Sequence, residues 1–273
     1  MQRMIERLRA EEPTLMLAIR GARTPEVVHI ARSTGHHAVL VDLEHSTMSV
    51  DTAAVLCVTA DALGLTALVR VPEREYGMIG RLLDGGAHGI VAPRIETAAQ
   101  ARDVARACRF APRGQRSQIA QVPQAGMRPT PAAELGPVLD DAVVVKILIE
   151  TPAGIANAGE IAAVDGVDII ALGANDLTAE LGVPGDYRDP RVREAVVALA
   201  DACREHDRLL MIGGIGDPAL LAALLPLGAC PLIMTGADSA LLYQGAKASA
   251  ERWSAALSPA LSPSFDLATA GTE

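Results

Sequence analysis

Eight short apolar runs, separated by stretches of helical period, set the tightest limit on what this chain can fold into. They lie at 15–19, 38–41, 67–69, 89–92, 143–149, 167–172, 209–212 and 232–234. Strands that alternate with helices form parallel sheets by crossover connections. Parallel strands are buried on both faces and so read as continuous apolar stretches, as in Val143-Val144-Val145-Lys146-Ile147-Leu148-Ile149. Eight such units predict closure into a (β/α)8 TIM barrel, and 273 residues suit that fold. An open doubly wound sheet would carry a Gly-rich fingerprint after its first strand, and Arg20-Gly21-Ala22-Arg23 supplies none. We expect one domain over 1–257.

Half of the residues are hydrophobic but only 2% are aromatic, so Ala, Val, Leu and Ile must build the core. A net charge of -9 argues against nucleic acid as a partner. Cys57, Cys108, Cys203 and Cys230 show no Cys-x-x-Cys spacing and are read as reduced core residues. The first twelve residues alternate charged and apolar side chains like an amphipathic helix, and no apolar run reaches membrane-spanning length. A soluble, cytoplasmic protein with no membrane partner is expected. Two stretches break the rhythm. Segment 112–137 holds five prolines and is expected to be a functional loop over the active site. The Ser-, Pro- and Ala-rich tail 258–273 is expected to be disordered or laid on a neighbouring subunit.

Barrel enzymes place their chemistry at the C-terminal ends of the strands. Here those ends run into Asp42-Leu43-Glu44-His45, Arg70, Glu150, Gly173-Ala174-Asn175-Asp176 and Thr235-Gly236-Ala237-Asp238. Glu150 and Asp176 lie one strand–helix unit apart, so adjacent strands would bring both carboxylates to one rim. Hard oxygen donors without His or Cys favour Mg²⁺ or Mn²⁺; two helix-capping carboxylates are the alternative. His45 suits a general base near neutral pH, with Asp84 a candidate partner. Arg70 offers a planar fork to a carboxylate or enolate oxygen, or else an ion pair to Asp42 or Glu44. Free N–H groups of Gly173, Ala174 and Asn175 are candidates for holding a substrate carboxylate. Gly213-Gly214-Ile215-Gly216-Asp217 reads as a turn more readily than as a phosphate cradle. Lys146 lies mid-strand, so no strand-end lysine is available for a Schiff base, which favours metal over lysine chemistry.

Asp42-Leu43-Glu44-His45, Val69-Arg70-Val71, Leu83-Asp84-Gly85-Gly86-Ala87, Pro112-Arg113-Gly114-Gln115-Arg116-Ser117, Ile149-Glu150-Thr151 and Gly173-Ala174-Asn175-Asp176-Leu177 occur in an order and spacing that resembles one family. The chain is similar, to about residue 250, to the class II pyruvate aldolases of the HpcH/HpaI aldolase and citrate lyase superfamily, such as the 4-hydroxy-2-oxoheptanedioate and 2-keto-3-deoxy sugar acid aldolases. The resemblance implies a barrel of the phosphoenolpyruvate/pyruvate-binding type. It implies a divalent metal (Mg²⁺, Mn²⁺ or Co²⁺) on Glu150 and Asp176, a His45–Asp84 base pair, Arg70 on the enolate oxygen, and a homohexamer with its sites near subunit boundaries. The chain departs from the pattern at Leu148, where the heptanedioate aldolases carry Gln, and at Gly173-Ala174-Asn175-Asp176, which replaces Gly-Pro-Ala-Asp. Gln118-Ile119-Ala120-Gln121 also lacks the usual glycines.

The expected activity is cleavage of a 4-hydroxy-2-keto acid to pyruvate, or a related 2-keto acid, and an aldehyde. Oxaloacetate decarboxylation or a citrate-lyase-like cleavage is the alternative chemistry. A non-catalytic barrel binding a small acid is the alternative class, favoured if His45 and Asp84 lie far apart or if Glu150 and Asp176 face away from each other.

Overall fold

The structure, a computed structural model, describes residues 4–261, with side chains to 257. Its strands are β1 (Thr14–Ile19), β2 (Ala38–Asp42), β3 (Thr66–Arg70), β4 (Gly89–Ala92), β5 (Val144–Ile149), β6 (Ile169–Gly173), β7 (Leu209–Gly213) and β8 (Leu232–Ala237). Each falls on one of the eight apolar runs. All pair in parallel in the order β7-β6-β5-β4-β3-β2-β1-β8. A single parallel bridge, Leu210 to Ala229, and the Cys230 N–H donated to the Leu210 carbonyl at 2.7 Å join the last edge. The barrel is thus nearly closed.

The helices begin with α1 (Met4–Arg9), α2 (Glu26–Ser33), α3 (Val50–Ala62), α4 (Ile79–Asp84), α5 (Ala98–Cys108) and α6 (Ala132–Ala142). They continue with α7 (Pro152–Ala156), α8 (Ala158–Ala162), α9 (Ala174–Glu180), α10 (Pro190–Glu205), α11 (Pro218–Leu224) and α12 (Asp238–Leu261). Successive strand residues point to opposite faces, which divides the core in two. Leu17, Ile19, Val39, Val41, Ile147 and Ile212 pack outward under the helices. Met16, Ala18, Leu40, Val91, Leu148 and Met211 fill the barrel, and Met4 and Leu8 of α1 join them.

Segment 112–137 does not cover the strand-end face. It follows α5, which has already run back from the strand ends, and it precedes β5, so chain direction puts it on the strand-start side. Its last residues form part of α6, with Pro137 inside the helix. The helix α12 runs past residue 257 to Leu261, and residues 262–273 of the expected tail lie outside the described residues. Along α12 the apolar side chains Leu241, Leu242, Tyr243, Trp253 and Leu257 are exposed. No helix among the described residues is long and apolar enough to cross a membrane.

Candidate active site

Glu150 is the first residue beyond β5 and is buried. Its carboxylate accepts the Arg94 backbone N–H at 3.0 Å. It also lies directly over the end of the adjacent strand, where a Cβ at Gly173 would stand 2.5 Å from Glu150 Oε1. Only glycine leaves room there. Asp176 follows in the first turn of α9, which starts at the next residue, Ala174. Parallel pairing of β5 with β6 therefore brings both carboxylates to one rim. Burial, together with the neighbouring Asp176 and Glu44 charges, pushes the Glu150 carboxyl up to about 7, although the Arg94 N–H opposes this. Glu44 is likewise raised, by burial first and by Asp42 and Asp176 in addition.

The opposite side of the rim is built on Asp42, which is fully buried at the end of β2. Arg70, in register beside it on β3, donates from Nε to Asp42 Oδ1 at 3.0 Å and from NH2 to Oδ2 at 2.5 Å. Arg20 Nε donates to Oδ2 at 2.7 Å, and the backbone N–H groups of Glu44 and His45 donate to Oδ1. Burial would raise this carboxyl; the two guanidiniums and the backbone donor overcome it and bring it down to about 2. Arg70 NH1 also meets Glu44 Oε2 at 3.0 Å. The ion-pair alternative for Arg70 is therefore present, yet a guanidinium has five donors and these contacts use three. His45, with a side chain 54% exposed, stands 3.7 Å from Glu44.

The structure thus gathers Glu150, Asp176, Arg70, His45 and the Gly173-Ala174-Asn175 turn at the strand-end rim. It does not bring Asp84 to His45 within one chain. Asp84 ends α4 and accepts from Arg116 NH2 at 2.8 Å, and Arg116 in turn stacks on Phe110. The spacing of 39 positions from His45 to Asp84 holds no information about which end of the barrel each reaches. The turn after β7 remains a turn, with Asp217 capping α11. Two residues absent from the sequence expectations complete the site. Arg20 is the second cation on Asp42, and its place at the end of β1 is the signal that would have found it. Arg94 contributes through its backbone and had no side-chain signal.

No group of three or more His, Cys, Asp or Glu residues among the described ones is arranged to hold a metal. The two carboxylates suit a hard divalent cation, which needs only one or two protein carboxylates and completes its shell with water and substrate. Glu150 and Asp176 stand close enough for each charge to disfavour the other, so the donor set fits such an ion.

A parallel barrel that carries its acid and arginine groups at the strand ends has the architecture of a barrel enzyme. The chain belongs to the HpcH/HpaI aldolase/citrate lyase family, whose model matches residues 16–212. It is 39% identical to the 4-hydroxy-4-methyl-2-oxoglutarate aldolase of Hapsidospora irregularis over 201 residues, 73% of this chain and 74% of that protein. It is 31% identical to the hydroxypyruvate/pyruvate aldolase of Delftia acidovorans over 247 residues, 86% of each. The HpcH/HpaI aldolase structure from Desulfitobacterium hafniense shares the fold with a TM-score of 0.85 at 24% identity, covering 93% of this chain and 97% of that one.

Proposed function

We propose that this chain is a class II aldolase that reversibly cleaves a 4-hydroxy-2-keto acid to pyruvate, or a related 2-keto acid, and an aldehyde. The observation that carries this reading is the meeting of Glu150 and Asp176 across adjacent strand ends, with Arg70 on the same rim. Both named relatives are aldolases of 2-keto acids, which supports it. Glu150 and Asp176 would hold Mg²⁺, Mn²⁺ or Co²⁺. When bound, the cation supplies Lewis acidity to the keto and carboxylate oxygens of the substrate. The Gly173, Ala174 and Asn175 N–H groups orient the carboxylate at the start of α9. Arg70, fixed by Asp42, directs its remaining donors at the oxygen where enolate charge develops, without moving in the reaction. His45, exposed at the rim, takes the 4-hydroxyl proton in cleavage and returns it in synthesis, through water.

For Asp84 to assist His45, it has to come from a second subunit. The exposed apolar side chains of α12 support a homo-oligomer, the hexamer implied by the family resemblance. Four free, buried cysteines fit a reducing cytoplasm.

The test is pyruvate release from a panel of 4-hydroxy-2-keto acids and oxaloacetate, using metal-stripped protein with and without Mg²⁺, Mn²⁺ or Co²⁺ and a Glu150→Gln control. Cleavage restored by metal and abolished by the control is the expected result. Turnover of oxaloacetate alone would move the reading to decarboxylation, and no turnover of any substrate would sink it in favour of a binding barrel.

A further inference from the structure

The chain holds 24 basic residues, of which only Lys146 and Lys247 are lysines. Arginine is used almost everywhere a cation is wanted, and it stays charged in proteins. Lysine can lose its proton. Lys247 sits on the exposed α12, where it pairs with Glu251 at 3.1 Å. Lys146 lies on β5 and is only 2% exposed. It shares the inward face with Leu148 and Glu150, because residues two apart on a strand point the same way.

The surroundings of Lys146 are poor for an ammonium. Its one hydrogen-bond partner among the described residues is Met211 Sδ, at 2.8 Å. A thioether is a weak acceptor, and an ammonium has three protons to place. The groups whose charge acts on it are Cys230, whose thiol burial keeps protonated, and Arg70, while Arg20 and Asp176 line the same cavity. Burial brings the amine down to about 7, with Arg70 assisting and Cys230 opposing. A cavity of about 90 Å³ opens beside it, lined by Leu148, Ala171 and Met211 below and by Arg70 and Asp176 above. That is the room of roughly three waters at about 30 Å³ each.

We propose that Lys146, although it lies mid-strand and not at a strand end, is a covalent carbonyl-binding residue, capturing a small 2-keto acid or aldehyde that enters the cavity beneath Arg70 and Asp176. The nitrogen lone pair adds to the carbonyl carbon, and a proton moves from nitrogen to oxygen to give the carbinolamine. Water then leaves, forming the imine, and its return hydrolyses the adduct. The step needs no oxidant and no metal. It rests on the aldolase reading only for the kind of carbonyl compound that visits the site.

Metal-stripped protein is incubated with pyruvate, and separately with glyoxylate, in sodium cyanoborohydride at pH 7; peptide mass spectrometry then compares the two lysines. Lys146 lines the cavity in a desolvated site while Lys247 lies on the exposed α12, so Lys146 is expected to carry the reduced adduct at least about tenfold more than Lys247. A Lys146→Arg protein, which keeps the cation but forms no imine, should show only background labelling. Labelling of Lys247 with Lys146 unmodified would overturn the proposal. An adduct on Lys146 in a protein without metal-dependent turnover would uphold this inference and sink the aldolase. Turnover with an unmodified Lys146 would do the reverse.

Discussion

At the scale of single residues, Gly173 and Asp42 decide more than the groups expected to touch substrate. Gly173 lacks a side chain because Glu150 lies against its backbone. Gly173→Ala should leave the barrel folded but swing Glu150 out of place. Groups that orient a ligand typically cost about 10–100-fold in metal affinity when lost, which titration with Mn²⁺ would read. Wild-type affinity in that variant would show that Glu150 binds no metal there. Asp42 makes a second prediction, through pH. Its folded carboxyl titrates at about 2, below the ordinary value near 3.8. A depressed carboxyl stabilises the fold fully above its unfolded value, and that stabilisation disappears as pH falls toward the folded one. Asp42→Asn should therefore be less stable than wild type at neutral pH, with the gap narrowing from about pH 4 to about pH 2. Urea melts across that range would test it; a constant gap would mean that Arg20 and Arg70 do not set the acid limb.

At the scale of elements, the strand starts are tied as carefully as the strand ends. The residue before β2 is His37, whose Nδ1 accepts the Leu15 N–H at 3.2 Å. Before β4, His88 Nδ1 accepts the Ala67 N–H at 2.9 Å, and before β6, Asp168 accepts the Val145 N–H at 2.7 Å. Each ties a strand to the one before it. Arg109, buried after α5, extends the third tie by donating to the Asp140, Val143 and Gly166 carbonyls and to Asp168. Arg109→Ala would strand the half-buried Asp168 carboxylate and three carbonyls, so a loss of about 1–3 kcal/mol in urea unfolding is expected. A loss under about 1 kcal/mol, the scale of an exposed pair, would show that water replaces it. This end of the barrel was hard to read in the sequence. The strands were legible because double burial leaves unbroken apolar runs, and Glu150 and Asp176 because polar residues follow those runs directly. Segment 112–137 was misplaced because its composition suggested a lid, whereas chain direction after α5 decides which face it meets.

At the scale of the whole molecule, one chain is an incomplete enzyme if Asp84 belongs to the base. His45 lies at the strand-end rim, while Asp84 is held by Arg116 at the end of a helix that has left that rim. The proposed association of chains would cover the outward apolar face of α12, where Leu242 is 74% and Trp253 60% exposed. A contact between copies would let Asp84 of one approach His45 of another. Mixing two inactive proteins, His45→Ala and Asp84→Asn, decides the matter once subunits exchange. If each site takes its histidine from one chain and its aspartate from another, random assembly restores about a quarter of the sites. If both groups had to come from one chain, no mixture would recover activity. Light scattering on the mixture and on each parent would confirm that assembly itself is unchanged, so that a failure to complement speaks against Asp84 and not against the oligomer.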